Sequence, residues 1–504
     1  MARENPLMSF SFSLRYLCHF TLLISVLSFV SFLFRHNTTL CYFPYDHNPN
    51  TDHTFDHTHD NETIDLLTFS SAWNHLTFSP SKPNKILKIA VVVKKWPQKS
   101  QAGGLERHAL TLHLALANRG HEVHVFTAAS PSFPEYGLKN LRFHLSEPTS
   151  GGYLDQASLS QELQTQNASG RPFDVVHTES VGLLHTRAKN LQNVVASWHG
   201  IAYETFHSDI IQELLRQADV AAGAEAEQPP PSAPALTERA KRVVEEVKFF
   251  QRYAHHVATS DHCGDVLKRI YMIPEERVHI VLNGVDESVF KLDVSKRERF
   301  RERFGVRSVV KNREPPLVLG IAGRLVKDKG HPLMFSALKR VFEENKKARE
   351  NVVVLVAGDG PWGNRYKELG SNNVIVLGPL DQEKLAEFYN AIDVFVNPTL
   401  RAQGLDHTLL EAMVSGKPVL ATRLASITGS VVVGPHLGYT FSPSVESLAE
   451  AISRVVSDGT EELERKGKEA RKRSLRLFTA SKMADAYERL FLCISDKSYC
   501  TIQA

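Results

Sequence analysis

The sequence predicts an α/β protein of two doubly wound domains with parallel sheets, set behind one membrane-spanning helix. Three observations carry this. Short apolar runs alternate with helical patterns in two separate series, many of the runs end in Gly, Pro or Arg, and one long uncharged segment lies near the N-terminus. At 504 residues the chain is too long for a single core. Apolar content of 42% and charged content of 23% are those of an ordinary globular protein. A net charge of +3 argues against nucleic acid as the main partner, which calls for a strongly basic face.

The uncharged segment runs from Tyr16 to Phe34, bracketed by Arg15 and Arg35. As a helix its 19 residues rise ~28 Å, close to the ~30 Å hydrocarbon core. Arg3 and Arg15 precede it, and no Lys or Arg follows Arg35 before Lys82. The positive-inside rule then favours a cytosolic tail (1–15), a signal anchor (16–34) and a luminal body. A cleaved signal peptide is the rival, but its apolar core is usually shorter and no A-x-A-like site follows. Residues 35–84 read as a luminal stem, acidic and without sustained periodicity. Its His53, His57 and His59 among Asp52, Asp56 and Asp60 read as a solvated spacer rather than a metal site. Sequons at Asn37, Asn61 and Asn167 suit a luminal body. Cys493 and Cys500 are close enough in sequence to pair in an oxidising lumen; two free thiols near a terminus are the equal alternative.

The first βα series opens at ILKIAVVV (86–93), a continuous apolar run of the kind buried on both faces of a parallel sheet. A loop with Gly103 and Gly104 leads to a helix with Leu105, Ala109, Leu112 and Leu116 on one face, closed by Arg119 and Gly120. Strand candidates follow at 122–128, 174–180, 193–200, 255–260 and 278–286. Residues 221–235, with Pro229, Pro230 and Pro231, read as a loop insertion. The second series comprises 317–324, 351–361, 373–380, 393–400 and 417–424. Its helices include one with Pro332 in the first turn and one capped by Asp381. The expected domains are 85–290 and 291–480, with a final helix in 481–504. The basic stretch 466–476 reads as a solvated helix face.

Four places carry candidate chemistry. Gly103 and Gly104 stand where a strand meets a helix N-terminus, which lets a backbone approach an anion. GRLVKDKG (323–330) puts Arg324 and Lys329 at a strand's C-terminal edge, where two cations suit a diphosphate leaving group. NPTLRAQGLDHTLLEAMVSGKPV (397–419) offers a second helix N-terminus near Asp406. On that helix Glu411 is placed to accept hydrogen bonds from a ribose diol. Each of these has a plain structural alternative: a tight turn, surface cations, an exposed helix carboxylate.

Residues 86–490 resemble the retaining glycosyltransferase family 4 of the GT-B fold. The resemblance rests on GGLERH (103–108), SWHG (197–200), NGVD (283–286), GRLVKDKG (323–330), GDGP (358–361) and LLEAMVSGKPVLAT (409–422), in that order. It implies two facing Rossmann-like domains, an acceptor domain and a nucleotide-sugar donor domain, with the final helix crossing back through Met483, Tyr487, Leu490 and Phe491. It implies that Gly103 and Gly104 face the reacting centre, and that His199 touches the transferred sugar near its 6-position. Arg324 and Lys329, with Gly323 beside them, would hold the pyrophosphate. Glu411 would hold the ribose, Gly358 and Leu380 would frame the base, and Gly404, Thr408 and Leu409 would complete the nucleotide-sugar contacts. The family is typically metal-independent, so no cofactor and no metal ligand is expected beyond the donor substrate, a UDP-sugar by preference.

The pattern departs from the family at three points. The first member of the family's acidic pair is Gln403 here, the Gly three places on is Asp406, and no Glu occurs in LASITGSVVVG (424–434). An amide in place of the carboxylate costs ~1–2 kcal/mol as a hydrogen-bond partner. The loss is ~10²–10³-fold in rate if the charge also stabilises the transition state. The reading that results is retaining sugar transfer from a nucleoside diphosphate sugar to a glycan, lipid or small-molecule hydroxyl. His199, Arg324, Lys329, Gln403 and Asp406 lie at the chemistry, in a type II protein of the Golgi or endoplasmic reticulum. The alternative is a catalytically silent GT-B protein that binds nucleotide sugar or acts as a scaffold; binding without turnover would mark it. An epimerase, a phosphorylase and a dehydrogenase are weaker: no paired acid and base, pyridoxal lysine or G-x-G-x-x-G is identifiable.

Overall fold

The computed structural model describes residues 76–79, 81–97, 103–130, 136–221, 233–306, 315–370, 373–402 and 405–502. The expected tail and anchor, nearly all of the stem, the three prolines, Gln403 and Gly404 lie outside them. Among the described residues no helix is long and apolar enough to cross a membrane.

A short strand β1 (Leu76–Phe78) stands apart. The first sheet holds β2 (Lys88–Val92), β3 (Glu122–Ala128), β4 (Leu141–Ser146), β5 (Val175–Glu179), β6 (Val194–Trp198), β7 (His255–Ala258) and β8 (Val278–Ile280). All are parallel, in the order β4-β3-β2-β5-β6-β7-β8. The second sheet holds β9 (Leu317–Ala322), β10 (Val352–Ala357), β11 (Val374–Gly378), β12 (Val394–Asn397), β13 (Val419–Thr422) and β14 (Gly438–Phe441), parallel in the order β11-β10-β9-β12-β13-β14. Strands β2, β5, β6 and β10 are buried along their whole length, as strands covered on both faces must be. A last strand, β15 (Cys500–Ile502), pairs antiparallel with β1, and a Cys493–Cys500 disulfide settles the question of the two thiols.

Two edge strands were not anticipated. β4 is only partly buried and β14 has four residues, so neither shows the continuous apolar run that marked the central strands.

The helices that matter for the site are α1 (Gly104–Asn118), α2 (Ala202–Ala221), α3 (Ala233–Phe250), α4 (His331–Glu344), α5 (His407–Val414), α6 (Val445–Leu477) and α7 (Ala480–Ser495). In α1 the periodic residues Ala109, Leu112 and Leu116 are fully buried. Helix α7 buries Met483, Tyr487, Leu490 and Phe491 and lies against α1, where Arg119 reaches Asp485 and Glu488. Helix α6 corrects one expectation: its basic stretch is not simply solvated. Lys466 reaches the Pro435 carbonyl, Arg473 that of Ser430, and Arg471 that of Val414 at 2.6 Å. Val414 ends α5, so Arg471 satisfies an orphan carbonyl at the negative end of that helix.

Both sheets reverse their strand order at one place, beside β2 and β5 in the first and beside β9 and β12 in the second. Loops leaving opposite sides of a reversal diverge and open a crevice. Gly103, Gly104, Arg324, Lys329 and Asp406 stand on loops at the reversals, and His199 on the neighbouring loop after β6.

Candidate functional site

Loops after β2, β6, β9 and β12 enclose a cleft of about 570 Å³. Gly103, Gly104, Arg107 and His199 line it from the first half, and Gly323, Arg324, Lys329, Asp406 and Thr408 from the second. Gly103 is the N-cap of α1 and makes no side-chain cap, so the first-turn N–H groups are not tied up by a side chain. Across the cleft, the Arg324 side chain is exposed and takes no partner among the described residues.

Lys329 is engaged. Its Nζ donates to Asp406 Oδ2 at 2.7 Å. Asp406 is also the N-cap of α5, accepting from the Thr408 N–H at 3.2 Å and from the Thr408 hydroxyl at 2.9 Å. Burial alone would raise this carboxyl, but Lys329 and the cap hold it far below the ordinary range. A protein carboxylate thus occupies the seat between lysine and helix N-terminus that suits an anion.

Glu411 is fully buried and does not line the cleft. Arg107 pairs with its Oε1 across the two halves, and the Tyr389 hydroxyl donates to Oε2 at 2.8 Å. Burial pushes this carboxyl up, opposed by Arg107 and Tyr389. Leu409 is core, and Leu380 and Gly358 lie away from the cleft lining. Gly358 acts from beneath: at φ +136°, a Cβ on it would fall 1.8 Å from the Gly323 carbonyl. Only glycine lets the two backbones stack there and shape the turn that carries Arg324.

Several groups at the site carried no strong sequence signal. Arg107 and His108 follow the glycine pair, and His407 opens α5, buried and lowered to about 3 by burial and the neighbouring His108, Arg107 and His199. Glu179 ends β5 fully buried and takes His199 Nε2 on its Oε2 at 2.5 Å. An acid at the C-terminal end of the strand, after Val175, Val176, His177 and Thr178, was the available signal. His108, Glu179 and His199, and likewise His113, His177 and Glu179, hold ligand-type atoms within 4.8 Å of one another. Those atoms are spent largely on hydrogen bonds among themselves and their neighbours, so the cluster is a polar network in this structure.

Residues 102–289 match the model described as Glycosyltransferase Family 4, and residues 305–473 match Glycosyl transferases group 1. An uncharacterized glycosyltransferase of Methanocaldococcus jannaschii is 22% identical over 386 residues, covering 74% of this chain and 90% of its own. D-inositol 3-phosphate glycosyltransferase of Kribbella flavida is 25% identical over 395 residues, covering 73% and 85%. Among solved structures, an Anabaena protein in complex with UDP-glucose gives a TM-score of 0.55 at 16% identity, covering 80% of this chain and 99% of its own. Two transferase models end to end, laid on two parallel sheets that face one cleft, make this chain a glycosyltransferase of the GT-B fold, family 4-like in sequence.

Proposed function

We propose that this glycosyltransferase moves a sugar from a nucleoside diphosphate sugar, by preference a UDP-sugar, to an acceptor hydroxyl with retention of configuration. The observation that carries the reading is the unpartnered Arg324 beside Lys329 at the β9 turn, facing His199 and the Gly103–Gly104 turn over one cleft. The Anabaena neighbour solved with UDP-glucose supports the donor class. As the sugar bond breaks, negative charge grows on the departing phosphate. Two cations and two helix N-termini in a partly dry cleft stabilise it. To take part, Lys329 exchanges the Asp406 carboxylate for a phosphate oxygen. The leaving phosphate then accepts the proton of the acceptor hydroxyl on the same face, and no protein nucleophile or resident metal enters this reading. Gln403 supplies a neutral acceptor or donor to a sugar hydroxyl where the family has a carboxylate.

The Cys493–Cys500 disulfide favours an oxidising compartment. With the uncharged segment 16–34 it supports a type II protein in the Golgi or endoplasmic reticulum membrane, its catalytic body in the lumen. The test incubates the detergent-solubilised full chain with a panel of nucleotide sugars and alcohol acceptors. Nucleotide release from one donor, lost in Lys329→Ala, is expected. Release that survives Lys329→Ala undiminished overturns the assignment of the phosphate seat.

A further inference from the structure

Behind His199 lies a polar chain that the transfer chemistry does not use. The Ala109 carbonyl accepts from His113 Nδ1 at 2.6 Å, and His113 Nε2 meets His177 Nδ1 at 2.9 Å. His177 Nε2 meets Ser197 Oγ at 2.7 Å, and Ser197 Oγ meets the Tyr487 hydroxyl at 2.7 Å. Tyr487 then meets His108 Nε2 at 3.2 Å, and His108 Nδ1 meets Glu179 Oε1 at 3.2 Å. These side chains come from α1, β5, β6 and α7, and all are buried. Only His199, on the other carboxylate oxygen, reaches the cleft.

The hydrogens can be counted. Six contacts join a carbonyl at one end to a carboxylate at the other, and both ends only accept. The five groups between them (three imidazoles, a serine and a tyrosine) bring one hydrogen each when neutral. The chain is therefore one proton short. Leaving two lone pairs face to face in a dry interior costs ~1–3 kcal/mol.

The charges give the same answer. Glu179 is buried with histidines as its only ion-pairing partners among the described residues, and a buried carboxylate needs a counter-charge. Burial, the largest effect, pulls the His108 ring down against the pull of Glu179 upward, so it is the hydrogen count along the chain that places one proton between the pair. The other titratable groups facing this pair are His113, His177, His199 and Tyr487 on their own side and His407 from across the cleft.

We propose that Glu179, His108 and Tyr487 are positioning residues for His199, holding one excess proton in the interior and fixing the ring with Nε2–H turned inward. His199 Nδ1 takes no hydrogen bond from the described residues and is then an acceptor facing the cleft. The sugar recognised there offers a hydroxyl, and a uronosyl donor, which brings a carboxylate to the same nitrogen, is disfavoured. This deepens the sugar-transfer reading and rests on it.

The network predicts how substitutions behave. In Glu179→Gln the amide N–H supplies the missing hydrogen to His108, while its oxygen still accepts from His199. In Tyr487→Phe the chain breaks into two pieces whose hydrogen counts close without an added proton, so only the charge on Glu179 remains to hold one. The test labels the histidine rings of the full chain with ¹⁵N and records ring nitrogens at pH 8, where exposed histidines are neutral. One doubly protonated ring is expected in the wild type and none in Glu179→Gln. Turnover of the accepted donor is expected to fall at least ~10-fold in Glu179→Ala and to recover to within about threefold in Glu179→Gln. The idea is overturned by a wild type with no doubly protonated ring, or by a Gln variant as impaired as Ala. Stoichiometric zinc in the purified protein would overturn it too, by making the cluster a metal site. The ring spectra need no sugar, so failure of the transfer reading and failure of this one are read separately.

Discussion

The two halves of this protein face one cleft with different electrostatics. Of the nine buried histidines among the described residues, seven lie before residue 290, in the first half. The second half holds fixed charges instead: buried Arg301 with Asp393, half-buried Lys329 against Asp406, and buried Glu411 reached by Arg107 from the other side. The second half therefore holds its charge in ion pairs, while the first half holds rings that burial keeps neutral in the folded state. In the proposed reaction, phosphate handling falls to the second half and hydroxyl recognition to the first.

That division can be broken most severely at the contact joining the halves. Arg107→Ala leaves Glu411 buried without its cation, and a stability loss of about 3–5 kcal/mol is expected in denaturant unfolding. A loss below ~1 kcal/mol would mean the pair behaves as a screened surface contact.

Next in size is the phosphate seat. Lys329→Ala is expected to lower turnover ~10²-fold or more with a smaller loss of stability, since Asp406 loses the cation that helps keep it ionised but keeps its cap on Thr408. A comparable loss of stability would show that the lysine serves the fold more than the reaction.

Acid should strike the first half first. His256 is lowered to about 3 and His113 to about 4, both by burial, against an unperturbed value near 6.5. The folded rings stay neutral while the unfolded chain takes up protons, so stability is lost as pH falls from ~6.5 toward ~4. Each ring contributes about 2 kcal/mol by pH 5. His331 and His407 add the same sign in the second half, and Glu204, pushed up to about 8 by burial, opposes it. Hydrogen-exchange protection factors, corrected for the intrinsic rate at each pH, should fall more from pH 7 to pH 5 around β7 than around β10; equal falls would erase the contrast.

The smallest effect concerns Asp406. Asp406→Asn keeps a cap oxygen for Thr408 but releases Lys329 from its ion pair. Donor affinity is expected to improve several-fold, about 1 kcal/mol, in a titration of the binding step. Weaker binding would mean that Asp406 itself touches the donor.

Legibility in the sequence followed the distance along the chain over which a feature is assembled. Arg324 and Lys329 lie in one eight-residue segment, GRLVKDKG, at the end of an apolar strand, so strand, turn and cations could be read together. The Arg107–Glu411 pair spans 304 positions, and the chain behind His199 draws on residues from His108 to Tyr487. Nothing in local pattern links such residues. Gly358 read as a residue framing the base, yet its backbone bears on Gly323, a contact between two strand ends that no spacing announces.

The sequence by itself determined the two βα series, the central buried strands, the helix faces and caps, and the presence of cations at the β9 turn. These depend on period, on turn chemistry and on residues a few places apart, and such local terms are written in order along the chain. Only the tertiary structure decided which carboxylates are free. It placed Glu411 under Arg107, gave Lys329 to Asp406, and set Glu179 among histidines, because burial and ion pairing depend on what packs from the other half.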